Sequence, residues 1–321
     1  MKVLVDHMNY VYISFNMARR ELKEKGIEEF TEEHIGLFYH TLFNGYNKMF
    51  KTYGQLIIAH EGHGSLDWRR KIYPDYKRNR DKSKQDPAYH ILKGTFDEIE
   101  KVLSYYPCKQ IKIDNAEADD VIFALAKYFA EQGEEVLIIS TDGDLAQMVD
   151  YGDISIYNPI KKKYAEKKFD ELVKYKAIVG DRSDNIPGLY RVGDKTFEKM
   201  LLDKKVWNDK MKGDNLEIYE NFLKIVDLSR FPADRHEAAI KMYKDTEYSE
   251  FSIGNIEHFF FENAMQDHLS RWGRDSGEIV EQLVSEGIKI KGFMENPERT
   301  NSESITNSTD EELDEILGEF I

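Results

Sequence analysis

The chain has 321 residues, with 45 Lys or Arg against 60 Asp or Glu, a formal net charge of −15 at pH 7. Hydrophobic residues at 41% and aromatics at 12% exclude a wholly disordered protein, and the length predicts two domains. Cys108 is the one cysteine, so no internal disulfide can form, and no run approaches the ~18 apolar residues of a membrane span; a soluble cytoplasmic protein without a membrane partner is expected.

Short, nearly continuous apolar runs at residues 2–5 (KVLV), 55–59 (QLIIA), 109–113 (KQIKI) and 135–139 (EVLII) predict strands covered on both faces. Helical patterns lie between them. Thr31 opens one with Glu32 and Glu33 in its first turn, Asp86 with Pro87 opens a second that runs to Tyr106, and a third spans 116–132 and is closed by Gly133. This alternation predicts a parallel sheet with right-handed crossovers. Beyond Gly180 helices dominate as far as Gly292, and the stretch 296–309 (NPERTNSESITNST) reads as a flexible linker.

Charge is segregated along the chain. Residues 69–84 are net positive by six, residues 161–205 lean positive, and the tail from Glu295 carries nine acids against Arg299. Within the first basic segment Tyr73, Tyr76, Lys77, Arg78 and Arg80 interleave rings with cations, a pattern suited to a single nucleic-acid strand whose bases stack and whose phosphates pair with charge.

The acids fall at predicted strand ends. Asp6 ends the first strand and Glu61 follows the second, Glu117, Asp119 and Asp120 follow the third, Asp142 and Asp144 follow the fourth, and Asp181 and Asp184 begin the helical part. Residues just beyond the carboxyl ends of parallel strands converge on one crevice. Nine acids gathered there repel one another unless cations bind, and without a Cys/His cluster the fitting ions are hard ones with oxygen ligands: Mg²⁺, with Mn²⁺ able to substitute. Two such ions about 3.5–4 Å apart would use this many carboxylates and clamp the attacking and leaving oxygens of a phosphodiester. On a regular helix Glu117 and Asp120 share a face while Asp119 points elsewhere, so convergence of all three demands an irregular helix start. His60 and His63 read as polar surface beside a turn.

Five motifs in order, VDHMN (5–9), YPDYKRNRD (73–81), EADD (117–120), STDGDLAQM (140–148) and GDRSDNIPGLYRVGDKTFEKML (180–201), resemble the 5′ nuclease superfamily. That superfamily comprises flap endonucleases, the 5′ nuclease domain of bacterial DNA polymerase I and phage 5′ to 3′ exonucleases. The likeness covers residues 1–200, and the short arch, the size and the WRR at 68–70 make the chain most similar to the RNase H group of T-even-type phages. The resemblance implies an α/β fold: a parallel-sheet, PIN-like nuclease core with a helical arch, followed by a mostly helical helix-three-turn-helix domain. The expected divisions are 1–180 for the core, with the arch at 62–90, 181–293 for a duplex-binding domain, and 294–321 for an acidic flexible tail.

By the same resemblance Asp6, Glu61, Glu117 and Asp119 hold one metal group and Asp120, Asp142, Asp144, Asp181 and Asp184 the other, with Glu61 standing where the family usually has Asp. Asp142 and Asp144 are counted as catalytic together with Lys77 and Arg80, which act on the scissile phosphate; Tyr76 stacks a base and Arg78 binds the strand. Arg191, where relatives commonly have glycine, is expected with Lys195 and Lys199 on duplex phosphates, near a turn that binds K⁺ in the family. The implied activity is a metal-dependent 5′ to 3′ exonuclease and flap endonuclease acting on DNA and RNA/DNA junctions. It would remove RNA primers and adjoining DNA during phage lagging-strand replication, in the host cytoplasm. Two alternatives stand beside it: a PIN-type ribonuclease, and a catalytically weak junction-binding homologue. In the tail, Thr309 and Glu312 form a capping box ahead of an apolar stripe of Leu313, Ile316, Leu317, Phe320 and Ile321, suited to a groove on a sliding clamp. A single-strand-binding protein is a further expected partner.

Overall fold

The computed structural model describes residues 1–81, 85–165, 171–288 and 290. The tail at 294–321, with Leu313, Ile316, Leu317 and Phe320, lies outside the described residues. The chain opens with β1 (Lys2–Asp6), α1 (His7–Glu24) and α2 (Ile35–Tyr53), then β2 (Leu56–His60) and α3 (Asp67–Ile72). Next come α4 (Pro87–Gly94) and α5 (Phe96–Leu103), β3 (Cys108–Lys112), α6 (Ala118–Glu131), β4 (Val136–Ile139), β5 (Ile154–Asn158) and β6 (Lys163–Tyr164). The remainder is helical: α7 (Leu172–Val179), α8 (Asp194–Leu202), α9 (Lys204–Lys210), α10 (Asp214–Val226), α11 (Ala233–Asp245), α12 (Ile253–Glu262) and α13 (Gln266–Ser285).

All four expected strands form, and they lie in one sheet of order β3-β2-β1-β4-β5-β6, parallel except for β6. Strand β1 is central, with Val5 in register between Ile58 and Ile139. Alternation along the strands splits the core into two layers. Val3, Val5, Ile58, Leu137 and Ile139 face a helical layer that includes α1, α2, α5, α12 and α13, whereas Leu4, Ile57, Ala59, Val136 and Ile138 face α6 and α11. Because the order reverses at β1, the crevice beyond the carboxyl ends of β1 and β4 is the switch point where an open α/β sheet places its site.

The structure departs from expectation in three places. Strands β5 and β6 extend the sheet beyond the four expected. The single helix expected from Asp86 to Tyr106 is two, α4 and α5, parted at Thr95, with Asp86 capping α4 through its carboxylate and the Ala88 N–H (2.9 Å). Finally, the helices after Gly180 do not form one separate body. Helices α7–α10 have their own core of Ile178, Ile186, Phe197, Met200, Phe222 and Leu223, but α11 packs on α6 and β3, and α13 lies along α2. Trp272 of α13 is buried in the first core layer, and Lys51 pairs with Asp275 at 3.2 Å. The apolar stripe of α13 is covered by α2 and the first core layer, so the lobe 171–226 is an excursion from a core that resumes after it.

Candidate active site

Asp6 reaches the sheet rim as the last residue of β1 and caps α1, its carboxylate accepting from the Asn9 N–H (3.2 Å) and the Ser140 hydroxyl (2.9 Å). Asn9 Oδ1 in turn accepts from the Thr141 N–H and hydroxyl, both at 3.0 Å, which ties the exits of β1 and β4 side by side. Asp142 caps the 3₁₀ helix Gly143–Tyr151 by accepting from the Asp144 N–H (2.8 Å). Burial, with the nearby Asp142 charge, pushes the Asp6 carboxyl up to about 6. Burial and the Glu117 and Asp6 charges push Glu61 up to about 7, and burial with Asp142 and Asp6 raises Asp119 well above the usual range. Among the described residues no lysine or arginine forms an ion pair with Asp6, Asp119 or Asp142. This half of the crevice is crowded negative charge.

Glu117 is the extended N-cap of α6 (φ −77°, ψ 161°), and the helix begins only at Ala118. Glu117 and Asp119 therefore face the crevice, while Asp120 turns away. The Asp120 carboxylate accepts from the Glu117 N–H (3.0 Å) and takes both arms of the buried Arg69 guanidinium at 2.7 and 2.6 Å. The convergence expected of all three acids does not occur, and Asp120 sits outside the group that gathers in the crevice. Arg69 also lies 2.8 Å from Glu117 Oε2 and donates to the Ile225 carbonyl at 3.0 Å. Burial alone would raise the Glu117 carboxyl, but Lys77 and Arg69 hold it down at about 2.

Lys77, in the left-handed region at φ 54°, is buried, with its N–H on the Asp184 carbonyl (2.9 Å) and its ammonium on Glu117. Tyr76 is buried too, its hydroxyl bonded to Glu117 (3.0 Å) and Asp184 (3.3 Å), so the ring expected to stack a base is a support beneath the carboxylates. Arg80 meets Asp184 at 2.9 Å and is half exposed, and the exposed Arg78 pairs with Asp75 at 3.5 Å. Asn79 donates to the Arg182 carbonyl (2.7 Å) and Asn185 to that of Asp75 (2.7 Å), which fastens the basic segment to the loop holding Asp181 and Asp184.

That loop completes a second group: oxygens of Asp144, Asp181 and Asp184 lie within 4.8 Å of one another. Gly180 makes its turn possible, since at φ 102° a Cβ would stand 2.5 Å from the Ile186 carbonyl oxygen. Lys176 reaches from the last turn of α7 to Asp144 and to Asp181 (2.6 Å). Burial with the Asp142 charge raises Asp144 to about 6, against the pull of Lys176, while Asp181 is lowered because its bonds to Lys176 and Ser183 outweigh burial. Beyond this loop Arg191, Lys195 and Lys199 are exposed on the lobe, and Arg191 holds φ 55°, the conformation a glycine would adopt freely. His60 is buried, not surface, with its ring 4.3 Å from that of His7. The sequence reading missed Arg69 and Lys176; the basic run around Arg69 was visible, but the one carboxylate pair it serves was not.

The family described as 5′-3′ exonuclease, N-terminal resolvase-like domain, matches residues 1–176. The chain is 30% identical over 268 residues to the 5′-3′ exonuclease of Buchnera aphidicola subsp. Schizaphis graminum, covering 79% of this chain and 85% of that one. It is 30% identical over 155 residues to ribonuclease H of Enterobacteria phage T4, 46% of this chain and 50% of the phage protein. The zinc-bound 5′-exonuclease of T5 is similar in fold, with a TM-score of 0.53 and 19% identity over 76% of this chain and 97% of that one.

Proposed function

Because the chain belongs to the 5′-3′ exonuclease family, we propose that this crevice hydrolyses phosphodiesters near single-strand/duplex junctions, as a 5′ to 3′ exonuclease and flap endonuclease. The observation that carries the reading is the gathering of Asp6, Glu61, Glu117, Asp119 and Asp142 beyond the strand ends, beside the Asp144, Asp181 and Asp184 group, with Lys77 inside. The residues fit divalent ions: every donor is a hard carboxylate oxygen, and burial together with neighbouring carboxylates pushes several carboxyls toward neutrality. Asp6, Glu61, Glu117 and Asp119 would hold one Mg²⁺ or Mn²⁺ and Asp144, Asp181 and Asp184 the other, with Asp142 between; Asp120 leaves the ligand set. When bound, such ions supply positive charge to the scissile phosphate and acidify an attacking water.

The protein's own groups do the rest. Lys77, anchored on Glu117 and Asp184, presents a fixed cation to charge that develops on the transferred phosphate, and Arg80 adds a second from the rim. Arg69 and Tyr76 brace Glu117 so that it cannot swing. Arg78 steers the single strand, while Arg191, Lys195 and Lys199 grip duplex phosphates without reading sequence, beside a turn that would take K⁺. The substrates suggested are RNA primers and adjoining DNA on a phage lagging strand, with a sliding clamp and a single-strand-binding protein as partners. The test is a time course on a labelled 5′ flap and an RNA-primed duplex, with and without Mg²⁺, for wild type and Asp142→Asn. Cleavage that needs Mg²⁺ and is lost in the variant supports the reading; ion-independent cleavage, or none by wild type, overturns it.

A further inference from the structure

The two groups of carboxylates are compensated differently. In the first, Glu117 meets Lys77 and Arg69 while Asp6, Asp119 and Asp142 pair with no described lysine or arginine. Each acid of the other group has a tethered cation: Lys176 on Asp144 and Asp181, Arg80 on Asp184. The Lys176 side chain is only 15% exposed, and its ammonium touches two of three carboxylates whose oxygens are close enough to share one ion. A divalent cation among those oxygens and the ammonium would be like charges in the same small volume. The stem that carries the ammonium is fixed at its base: Lys176 lies in the last turn of α7, its carbonyl accepting from the Gly180 N–H at 3.1 Å, and α7 packs against α10 through the lobe's apolar core. The head can leave by rotating about the side-chain bonds into the open cavity that Lys176 lines together with Asn158, Lys161 and Lys163.

We propose that Lys176 is a built-in occupant of the Asp144, Asp181 and Asp184 pocket, which a divalent ion must displace, so that this lysine sets the affinity of the second ion. The inference rests on the reading of the crevice as a divalent-ion site. It gives Lys176 a positioning role with two states. In the ion-free protein it neutralises the pocket and holds α7 to the loop after β4. In the loaded protein it is expelled but stays tethered, one side-chain length from the pocket, where an approaching phosphate would take it up. The protein would then fill its second pocket most readily when nucleic acid is present to receive the lysine, and that pocket would load after the first, whose Asp6 and Asp119 have no paired cation to displace among the described residues. Competition by an occupant present in more than nine molecules of ten weakens an apparent affinity about tenfold or more.

The test titrates DNA-free protein with Mn²⁺, counting free ion by its electron paramagnetic resonance signal, in wild type, Lys176→Met and Lys176→Arg. Wild type should bind one ion tightly and one weakly. Lys176→Met, which keeps the apolar stem, should tighten the weak step about tenfold or more and leave the tight step unchanged, and Lys176→Arg should stay weak. A weak step unchanged or further weakened in Lys176→Met overturns the proposal. Asp181→Asn serves as the control that must lose the weak step. A second measurement needs no variant: acetylation of Lys176 in wild type, followed by mass spectrometry, should be slow without ions and at least several-fold faster in saturating Mn²⁺, and equal rates would also refute displacement. If wild type binds no Mn²⁺ at all, the ion-site reading fails; if it binds two ions with Lys176 indifferent, only this inference does.

Discussion

Replacing Arg69 with Met withdraws one cation from beneath two buried carboxylates, Asp120 and Glu117, and severs its bond to the Ile225 carbonyl. Asp120 is completely buried and Glu117 nearly so, and breaking a buried ion pair by removing one partner costs about 3–5 kcal/mol. In the same sense, Lys77 and Arg69 hold the Glu117 carboxyl below its ordinary range in spite of its burial. Arg69→Met should therefore lose about 3–5 kcal/mol in urea denaturation, with Tm lower by on the order of 10 °C. Arg69→Met/Asp120→Asn should recover more than half of that loss, because the amide still accepts from the Glu117 N–H and no charge is stranded on residue 120. A single variant destabilised by less than about 1 kcal/mol, or a double variant worse than the single, would refute the assignment of Arg69 as the brace of the α6 entry.

Asp119→Asn and Asp120→Asn should part company despite their adjacency. The first should lose ion binding by titration and at least about a hundredfold in turnover, whereas the second should keep ion binding and lose stability; the reverse would restore Asp120 to the ligand set. The pH dependence has a definite sign. Asp6 near 6, Glu61 near 7 and Asp144 near 6 hold protons in the folded chain that the unfolded chain has released, so ion-free Tm should fall as pH rises from about 4 to 7. Glu117 and Asp181, held low, contribute stability that is present above their ordinary range and lost as pH drops through it, toward about 2 for Glu117. Saturating Mg²⁺ should raise Tm more at pH 7.5 than at pH 5.5 in thermal scans, and equal increments would count against ion binding by the raised carboxyls. Tyr76→Phe removes two hydroxyl bonds and should cost about 1–2 kcal/mol, while the quenching of a 2-aminopurine flap stays as in wild type; lost quenching would mean that the ring does stack a base.

Much of the frame was readable from the chain because parallel strands buried on both faces leave continuous apolar runs, as KVLV and EVLII do. Strand β5 escaped because ISIYN alternates with polar residues instead of running continuously apolar, and β6 because two residues carry no periodic signal. The division at 181–293 misjudged α11 to α13, since an amphipathic stripe shows that a helix is covered but not by what. Within the site, the positions of Asp6, Glu61 and Asp142 followed from strand ends alone. The orientations of Asp119 and Asp120 did not, because they depend on one extended residue at Glu117 and on Arg69 arriving from fifty-odd positions earlier in the chain. Tyr76 was misread for a related reason: an aromatic beside cations suits a nucleobase, and equally suits a carboxylate that must be held still. Lys176 carried no signal, as only the end of α7 aims it at Asp144.

The return of α11 to α13 onto the sheet gives the lobe proposed to grip a duplex two anchored ends instead of one. Residues 171–226 leave the core after β6 and rejoin it through Leu228 and Phe231, which are buried in the layer under α6. A module hung from a single linker can tumble and must find the catalytic crevice anew at each encounter; one spliced in at both ends behaves as a handle on a drawer, transmitting a pull on it straight to the loop that bears Asp181 and Asp184. Trimming the protein from its carboxyl end would thus strip cladding from the sheet long before it reached the grip, whereas exchanging the inserted segment for a relative's could alter the hold on nucleic acid and leave the cutting machinery folded.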